Sequence, residues 1–338
     1  MTGSRISTEV LVGAAELACR APSVHNSQPW RMTATDGVLR LFTEPHRVPH
    51  ATDHSGREAL ISCGALLDHL RVAAAAAGWH AETARFPNPN DLHHLATIEF
   101  HRREFVTDAD RARADAILRR RTDRLPFAAP SNWLAFGQVL RSALEPGMVR
   151  LDVLEESARP QLADASRLTE SLRRYDASYH AELSWWTAPL ETVDGVGHSA
   201  LLSESDRDRV DIGRDFPAGN LSGDRPEIGR DHAVVMVLST PDDSHESALR
   251  CGEALSAVLL EATMVELATC TLTHLTELDA GRDIVRALIG GSGEPQLLIR
   301  VGWVPALGEH PPMTPRRPLP DVLAVADDSS EAKGDDDG

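Results

Sequence analysis

The chain has 338 residues, 42% of them hydrophobic, which is enough for two cores or for one core doubled. Its formal net charge of −17 has the wrong sign for gripping duplex nucleic acid, so no nucleic-acid partner is expected. No apolar run reaches ~18 residues, so no membrane span is expected.

The first 20 residues, MTGSRISTEVLVGAAELACR, read as an amphipathic helix. They lack the basic start and apolar centre of a signal peptide, so the expected location is cytoplasmic. Arg31 to Phe42 reads as a hairpin that turns at Asp36-Gly37. A long helix follows, with Ser55 and Glu58 at capping-box spacing and Gly78 suited to its end. Leu95 to Phe100 alternates like a strand. A helix starting near Asp108 runs into RRRTDRLPF, Arg119 to Phe127. Residues 185 to 230 carry Gly, Asp, Ser and Pro with little periodicity, so this long stretch is expected to be functional or mobile. Ala233 to Ser239 and Gln296 to Gly302 are compact apolar strands. Long helices with scattered strands and hairpin signals favour an α+β fold over a doubly wound parallel sheet. The closing run DDSSEAKGDDDG, from Asp327, holds the only lysine, Lys333, and cannot bury a core; it is expected to be disordered. The four cysteines, Cys19, Cys63, Cys251 and Cys270, form no CxxC pair and are expected to be reduced, buried thiols.

Two helical segments resemble each other at an offset of 188 residues, Glu58 to Thr83 and Glu246 to Thr271. Identities fall at Glu58/Glu246, Cys63/Cys251, Gly64/Gly252, Leu67/Leu255, Ala74/Ala262 and Thr83/Thr271. Chance alignment of Ala- and Leu-rich helices is the plain alternative, but the Cys-Gly pair sits in register with the apolar pattern. The reading is a duplicated unit whose small-residue helices pack closely. Residues 1–105 form a first half, 106–323 a second half with an inserted segment near 180–230, and 324–338 the acidic tail.

Three stretches carry chemistry. In APSVHNSQPW, Ala21 to Trp30, two prolines restrict the backbone around a crowd of short polar side chains. Such a loop suits a flat polar ring, although ordinary turns use the same residues. In RRRTDRLPF, Arg120 and Arg124 are four apart, so they can share one side of a helical turn, with Thr122 between them. Forked guanidinium groups suit a phosphate, although arginine also suits a solvated helix end. TPRRPLPDVL, Thr314 to Leu323, offers Arg316 and Arg317, or is a surface linker. His46, His50, Asp53 and His54 have near-helical spacing, but Pro45 and Pro49 argue against a helix there and no metal site is expected.

PSVHNSQPW after the first helix resembles the flavin-contacting loop of the FMN-dependent nitroreductases. That resemblance implies flavin contacts from Pro22, Ser23 and Asn26, and less securely from Val24, His25 and Gln28. RRTDR is similar to the family's Arg-x-Ser-x-(Arg/Lys) motif, which implies phosphate and ribityl contacts from Arg120, Thr122 and Arg124. Arg316 and Arg317 match a basic pair near the family's C-terminus loosely. The order of these pieces is unusual. The first half has PSVHNSQPW with no RRS-like motif before it, and the second half has RRTDR followed by PSNWLAFG. One complete site can therefore form across the halves while the other is lost. This looks like the Acg-type nitroreductase-like proteins, fused pseudo-dimers with one FMN, over roughly residues 5 to 323, with GEPQLLIRVGW and TPRRPLPDVL adding to the likeness.

The resemblance implies NAD(P)H-dependent reduction of a nitro or quinone acceptor, by chemistry that belongs to the cofactor; no catalytic side chain is named. One departure matters: where nitroreductases have a Pro-x-Glu-Gly turn near flavin N5, this chain reads THLTEL, Thr273 to Leu278. With a lid formed by the inserted segment, and Trp185 or Trp186 over the ring, the alternative is a protein that stores or sequesters FMN. A fused pair needs no partner, so a monomer is expected.

Overall fold

A computed structural model describes residues 5–131, 133–188, 193–221, 225, 227–304 and 313–326; most of the acidic tail, from 327, lies outside them. The fold is α+β. One five-stranded sheet, in the order β3-β4-β2-β1-β9, is built from β1 (Trp30–Thr35), β2 (Val38–Thr43), β3 (Trp79–Arg85), β4 (His94–Arg102) and β9 (Leu323–Val325). Its hairpin turns at Asp36 and Gly37, φ +56° and +74°, the two left-handed positions that a type I′ turn requires. The last strand, β9, lies parallel to β1 with Met32 opposite Leu323, so the end of the chain returns to the sheet of the first half. The second sheet is antiparallel, in the order β5-β6-β8-β7, from β5 (Arg150–Val153), β6 (Val234–Thr240), β7 (Ala268–Leu272) and β8 (Glu294–Gly302).

The helices are α1 (Thr8–Ala18), α2 (Arg57–Ala76), α3 (Asp108–Arg119), α4 (Trp133–Ser142), α5 (Arg159–Arg173), α6 (Ala177–Trp186), α7 (Glu204–Arg207), α8 (His245–Met264) and α9 (Asp279–Leu288). The two repeat segments become α2 and α8, which cross at the centre of the molecule. A Cβ on Gly64 would lie 2.0 Å from the Leu249 carbonyl oxygen, and one on Gly252 would lie 2.0 Å from that of Ile61. Only glycine lets the backbones approach this closely. Cys63 and Cys251, beside the two glycines, are fully buried free thiols, and burial raises the pKa of both. Leu66, Leu67, Leu70, Val258 and Leu259 fill the space around the crossing, each side chain worth about 1.5–3 kcal/mol when buried. By length and mean hydropathy, 1.4, α2 could cross a membrane, but 78% of that window is buried inside the protein.

The start of α2 differs from expectation. Ser55 and Glu58 form no capping box; Gly56 is the cap, and the Asp53 carboxylate accepts from the Ala59 N–H at 2.8 Å. Glu58 is freed to point elsewhere. Gly78 does follow the helix, with φ +87°. The helix expected from Asp108 is α3, opened by a reciprocal Thr107/Asp110 capping box. It stops at Arg119, because Arg120 turns extended, with ψ 132°. Arg120 and Arg124 therefore do not share a helical turn. Instead the run follows β7: the Asp123 N–H donates to the Thr269 carbonyl at 2.9 Å and Thr122 bridges Thr269.

Candidate functional site

The loop after α1 is strained. His25, Asn26 and Gln28 have φ of +49°, +54° and +50°, left-handed values that side-chain-bearing residues rarely adopt. A network holds it there. The Val24 N–H donates to Ser62 Oγ on α2 at 3.1 Å, and the Gln28 N–H to Ser23 Oγ at 3.0 Å. Asn26 Nδ2 donates to the carbonyls of Gly195 and Pro315 at 3.0 and 3.2 Å. Its Oδ1 is buried with no partner among the described residues.

Pro22, Ser23, Val24, His25 and Asn26 form one wall of a cavity with about 1450 Å³ of empty space, its open mouth included. Gln28 does not line it. Its amide donates to the Asn26 and Val193 carbonyls and accepts from the Arg317 N–H, so it fixes the loop from behind. Arg317 likewise points away, toward the carbonyls of Gln28, Trp30 and Asp321.

The opposite feature is a group of arginines. Arg20, Arg120, Arg121, Arg124 and Arg316 all line the cavity, and none makes an ion pair with a carboxylate among the described residues. Arg316 is anchored by donating to the carbonyls of Cys19, Arg20 and Ala21 at 3.1–3.2 Å. Burial, with the repulsion of Arg20 and Arg121, pushes Arg120 down to about 10. Burial, then Arg120 and Arg20, holds Arg316 well below the usual arginine range. Arg20 and Arg120 each keep a buried Nε without a partner among the described residues. Gathering like charges out of water is costly without a counter-ion, and forked guanidinium donors match a phosphate. The donor set therefore fits a phosphate-bearing ligand whose remaining part lies along the strained loop, beside Thr122.

The remaining walls come from α2 (Glu58, Ile61, Ser62), from α8 (Leu255), and from β7 with the residues after it, Cys270 to His274. THLTEL thus reaches the cavity through Thr273 and His274. Burial, then Arg214, depresses His274 to about 3. His25 is also held well below the histidine range by burial, Arg214 and Arg124, so both rings are neutral at pH 7.

Described residues of the segment between α6 and β6 line the cavity, but its tryptophans do not. Trp185 is 63% exposed, Trp186 is packed in the core, and neither lines the cavity. Val196, Leu202, Val210, Arg214 and Phe216 do. The Phe216 ring meets His25 edge-on at 5.8 Å and lies under the Arg124 guanidinium at 5.2 Å. The segment is tied down by Arg47 to Asp194 at 2.6 Å and by the Gln28 and Asn26 bonds. Of the eleven expected residues, nine line one cavity; Gln28 and Arg317 support it. Sequence reasoning missed Arg20, Arg121, Glu58, Arg214, Phe216 and His274. Arg20 abuts the first motif and Arg121 lies inside the second, so both could have been included; the others are brought in by tertiary structure alone.

One cavity thus brings together a group of arginines, the strained loop after α1, and residues of α2, α8 and β7. No protein-family profile matches the chain. A Mycobacterium tuberculosis protein provisionally named NAD(P)H nitroreductase acg is 58% identical over 325 residues, covering 96% of this chain and 98% of that one. A second M. tuberculosis protein, uncharacterised, is 53% identical over 94% of this chain and 93% of its own length. The FMN-dependent nitroreductase NfnB of Mycobacterium smegmatis, solved with NADPH, aligns with a TM-score of 0.40 and 17% identity over 65% of this chain and 100% of that one. The chain belongs to the Acg-type nitroreductase-like family.

Proposed function

We propose that this protein binds one FMN and uses NAD(P)H to reduce nitro or quinone compounds. The observation that carries this reading is the set of partly to fully buried arginines, without carboxylate partners among the described residues, in the same cavity as the strained Pro22–Gln28 loop. Arg20, Arg120, Arg121 and Arg316 would hold the phosphate, Thr122 and Asn26 the ribityl hydroxyls, and the loop with Phe216 the ring. When bound, FMN supplies hydride acceptance and transfer. The chain supplies binding, orientation and exclusion of water; neutral His25 and His274 offer polar edges without adding charge. The name of the 58% identical relative points to the same activity. On this reading residues 1–105 and 106–323 are two related half-units sharing one site, with β9 crossing back, and the protein acts as a cytoplasmic monomer. Small-molecule acceptors and a nicotinamide cofactor are its partners.

A second reading, storage of FMN with little turnover, is favoured by Val196 and Phe216 lining the same cavity, with the Phe216 ring against His25 of the loop. Anaerobic addition of NADPH or NADH to the purified protein separates the two. Bleaching of the flavin absorbance within the mixing experiment supports the reductase. A yellow protein that dithionite bleaches and neither nucleotide does supports storage. A colourless protein that takes up no FMN rejects both.

A further inference from the structure

A second cavity, with about 850 Å³ of empty space, its opening included, adjoins the first at Glu58. Its lining includes Asp53, Arg57, Asp243, His245, Glu277 and Arg282. His54, Ser55, Asp243, His245 and Asp279 on its rim are exposed, so this cavity is open to solvent. Among the described residues, Glu58 alone lines both cavities. It is 2% exposed, and both carboxyl oxygens are buried without a hydrogen-bond partner among the described residues. That is an expensive arrangement for a carboxyl group whose helix does not need it, since Asp53 does the capping.

We propose that Glu58 is the proton gate of the site, taking protons from the second, solvent-filled cavity and delivering them to the roofed one. This deepens the flavin reading and rests on it: reduction of the ring consumes a proton, and Glu58 offers a route for it from the second cavity in addition to the open mouth of the first. The groups facing Glu58 set its resting state. Burial, then Glu277 from the loop after β7 and Asp53 from the loop before α2, hold it well above the carboxylate range. Arg57, 3.7 Å away, and Arg214 from the roof oppose this. Arg214 is already committed to Glu277, to which it donates twice, and Arg57 to the carbonyls of Gln296 and Thr276. Glu58 therefore rests as a neutral acid. In reduction by an electron donor alone, two electrons come from the donor and the Glu58 O–H supplies one proton. The carboxylate left behind regains a proton from water in the second cavity, so atoms and charge balance.

The test uses wild type, Glu58→Gln and Glu58→Asp. In infrared spectra at neutral pH, with or without FMN, wild type should show a protonated carboxyl band that shifts in D2O and is missing in Glu58→Gln. In anaerobic stopped-flow reduction of the FMN-loaded proteins by dithionite, Glu58→Gln should be slower by about tenfold or more, with Glu58→Asp recovering most of the rate. The wild-type rate should fall with rising pH as the acid ionises, and the Gln variant should lose that dependence. An absent band, a band that does not exchange, or a Gln variant with the wild-type rate and pH profile would overturn the gate. Failure of wild type to bind FMN would strike the flavin reading, while the infrared band and its exchange still decide the role of Glu58. If the Gln variant does not fold, the Asp variant's shifted band and pH profile carry the test.

Discussion

Gly64 and Gly252 face each other across the α2–α8 crossing, and each presses on the carbonyl of the residue three before the other, Leu249 and Ile61. The partners are related by the same 188-residue offset as the sequence repeat, and Ser256 donates to Asp68, also 188 apart, at 2.6 Å. These contacts tie the helix crossing to the offset of the sequence repeat. Gly64→Ala and Gly252→Ala should each destabilise by about 3 kcal/mol or more, since the new Cβ meets backbone that cannot rotate away. In a chain of this length, with about 2.1 cal/mol/K of unfolding entropy per residue, that is a drop of roughly 4 °C in Tm, followed by circular dichroism. Because both methyls would enter one contact, the double variant should lose less than the sum. A single variant that melts with wild type would mean the helices can separate at no cost.

The arginine cluster makes opposite predictions for stability and for binding. Arg120→Ala and Arg316→Ala remove a repelled, buried cation from the ligand-free protein, so each should raise its Tm. Each should also weaken FMN binding by about 10- to 150-fold, the worth of a charge-assisted hydrogen bond of about 1.5–3 kcal/mol. Quenching of FMN fluorescence on titration measures the second effect and a melt the first. Arg317→Ala should instead disturb the loop through Gln28, lowering stability. Equal losses of stability in all three would mean that the cluster is a structural network, not an anion site.

Much of this site was legible because its chemistry is local in sequence. PSVHNSQPW places six expected residues on one short loop, and RRTDR three on another. What was not legible depends on long-range placement. Glu58 looked like a capping partner because its spacing from Ser55 is right; Asp53, five residues before it, wins the N–H groups. Arg120 and Arg124 looked helical because nothing local marks the end of α3; pairing of the following run with β7, nearly 150 residues on, ends it. The tryptophans looked like the roof because they are large, yet Phe216, in a stretch without periodicity, is the aromatic ring that reaches the cavity.

Asp68 gives a pH signature. Burial raises it to about 6 against the donation from Ser256 and the attraction of Arg71. The folded protein therefore holds a proton that the unfolded chain releases near its ordinary pKa of about 4. Stability from this group is fully present below that value and is lost as pH rises to about 6, by up to about 3 kcal/mol. Asp68→Asn keeps an oxygen for Ser256 and should be more stable than wild type at pH 7, with the advantage shrinking toward pH 4. Chemical denaturation at several pH values measures it. A constant difference between the two proteins would show that Asp68 ionises normally.

The roof is held at its start by Arg47 and Asp194, both only about one-fifth exposed, 2.6 Å apart. Beside them, Gln28 and Asn26 bind the carbonyls of Val193 and Gly195. If these ties keep nicotinamide from the ring, Asp194→Ala should speed NADPH- or NADH-driven bleaching of bound flavin by about tenfold, the worth of one partly buried charge-assisted bond. Phe216→Ala should also speed it, by making room in the cavity and not by loosening the segment. The two differ in a control: only Asp194→Ala should increase proteolytic nicking between α6 and β6, because Phe216 does not anchor that stretch to the loop. Dithionite, which is small, should reduce wild type and both variants at similar rates. Flavin content equal to wild type with unchanged nucleotide rates in both variants would mean the roof is no barrier. Faster bleaching in Phe216→Ala alone would place the barrier at the ring itself, over His25 and Arg124, and leave the tether as a purely structural contact.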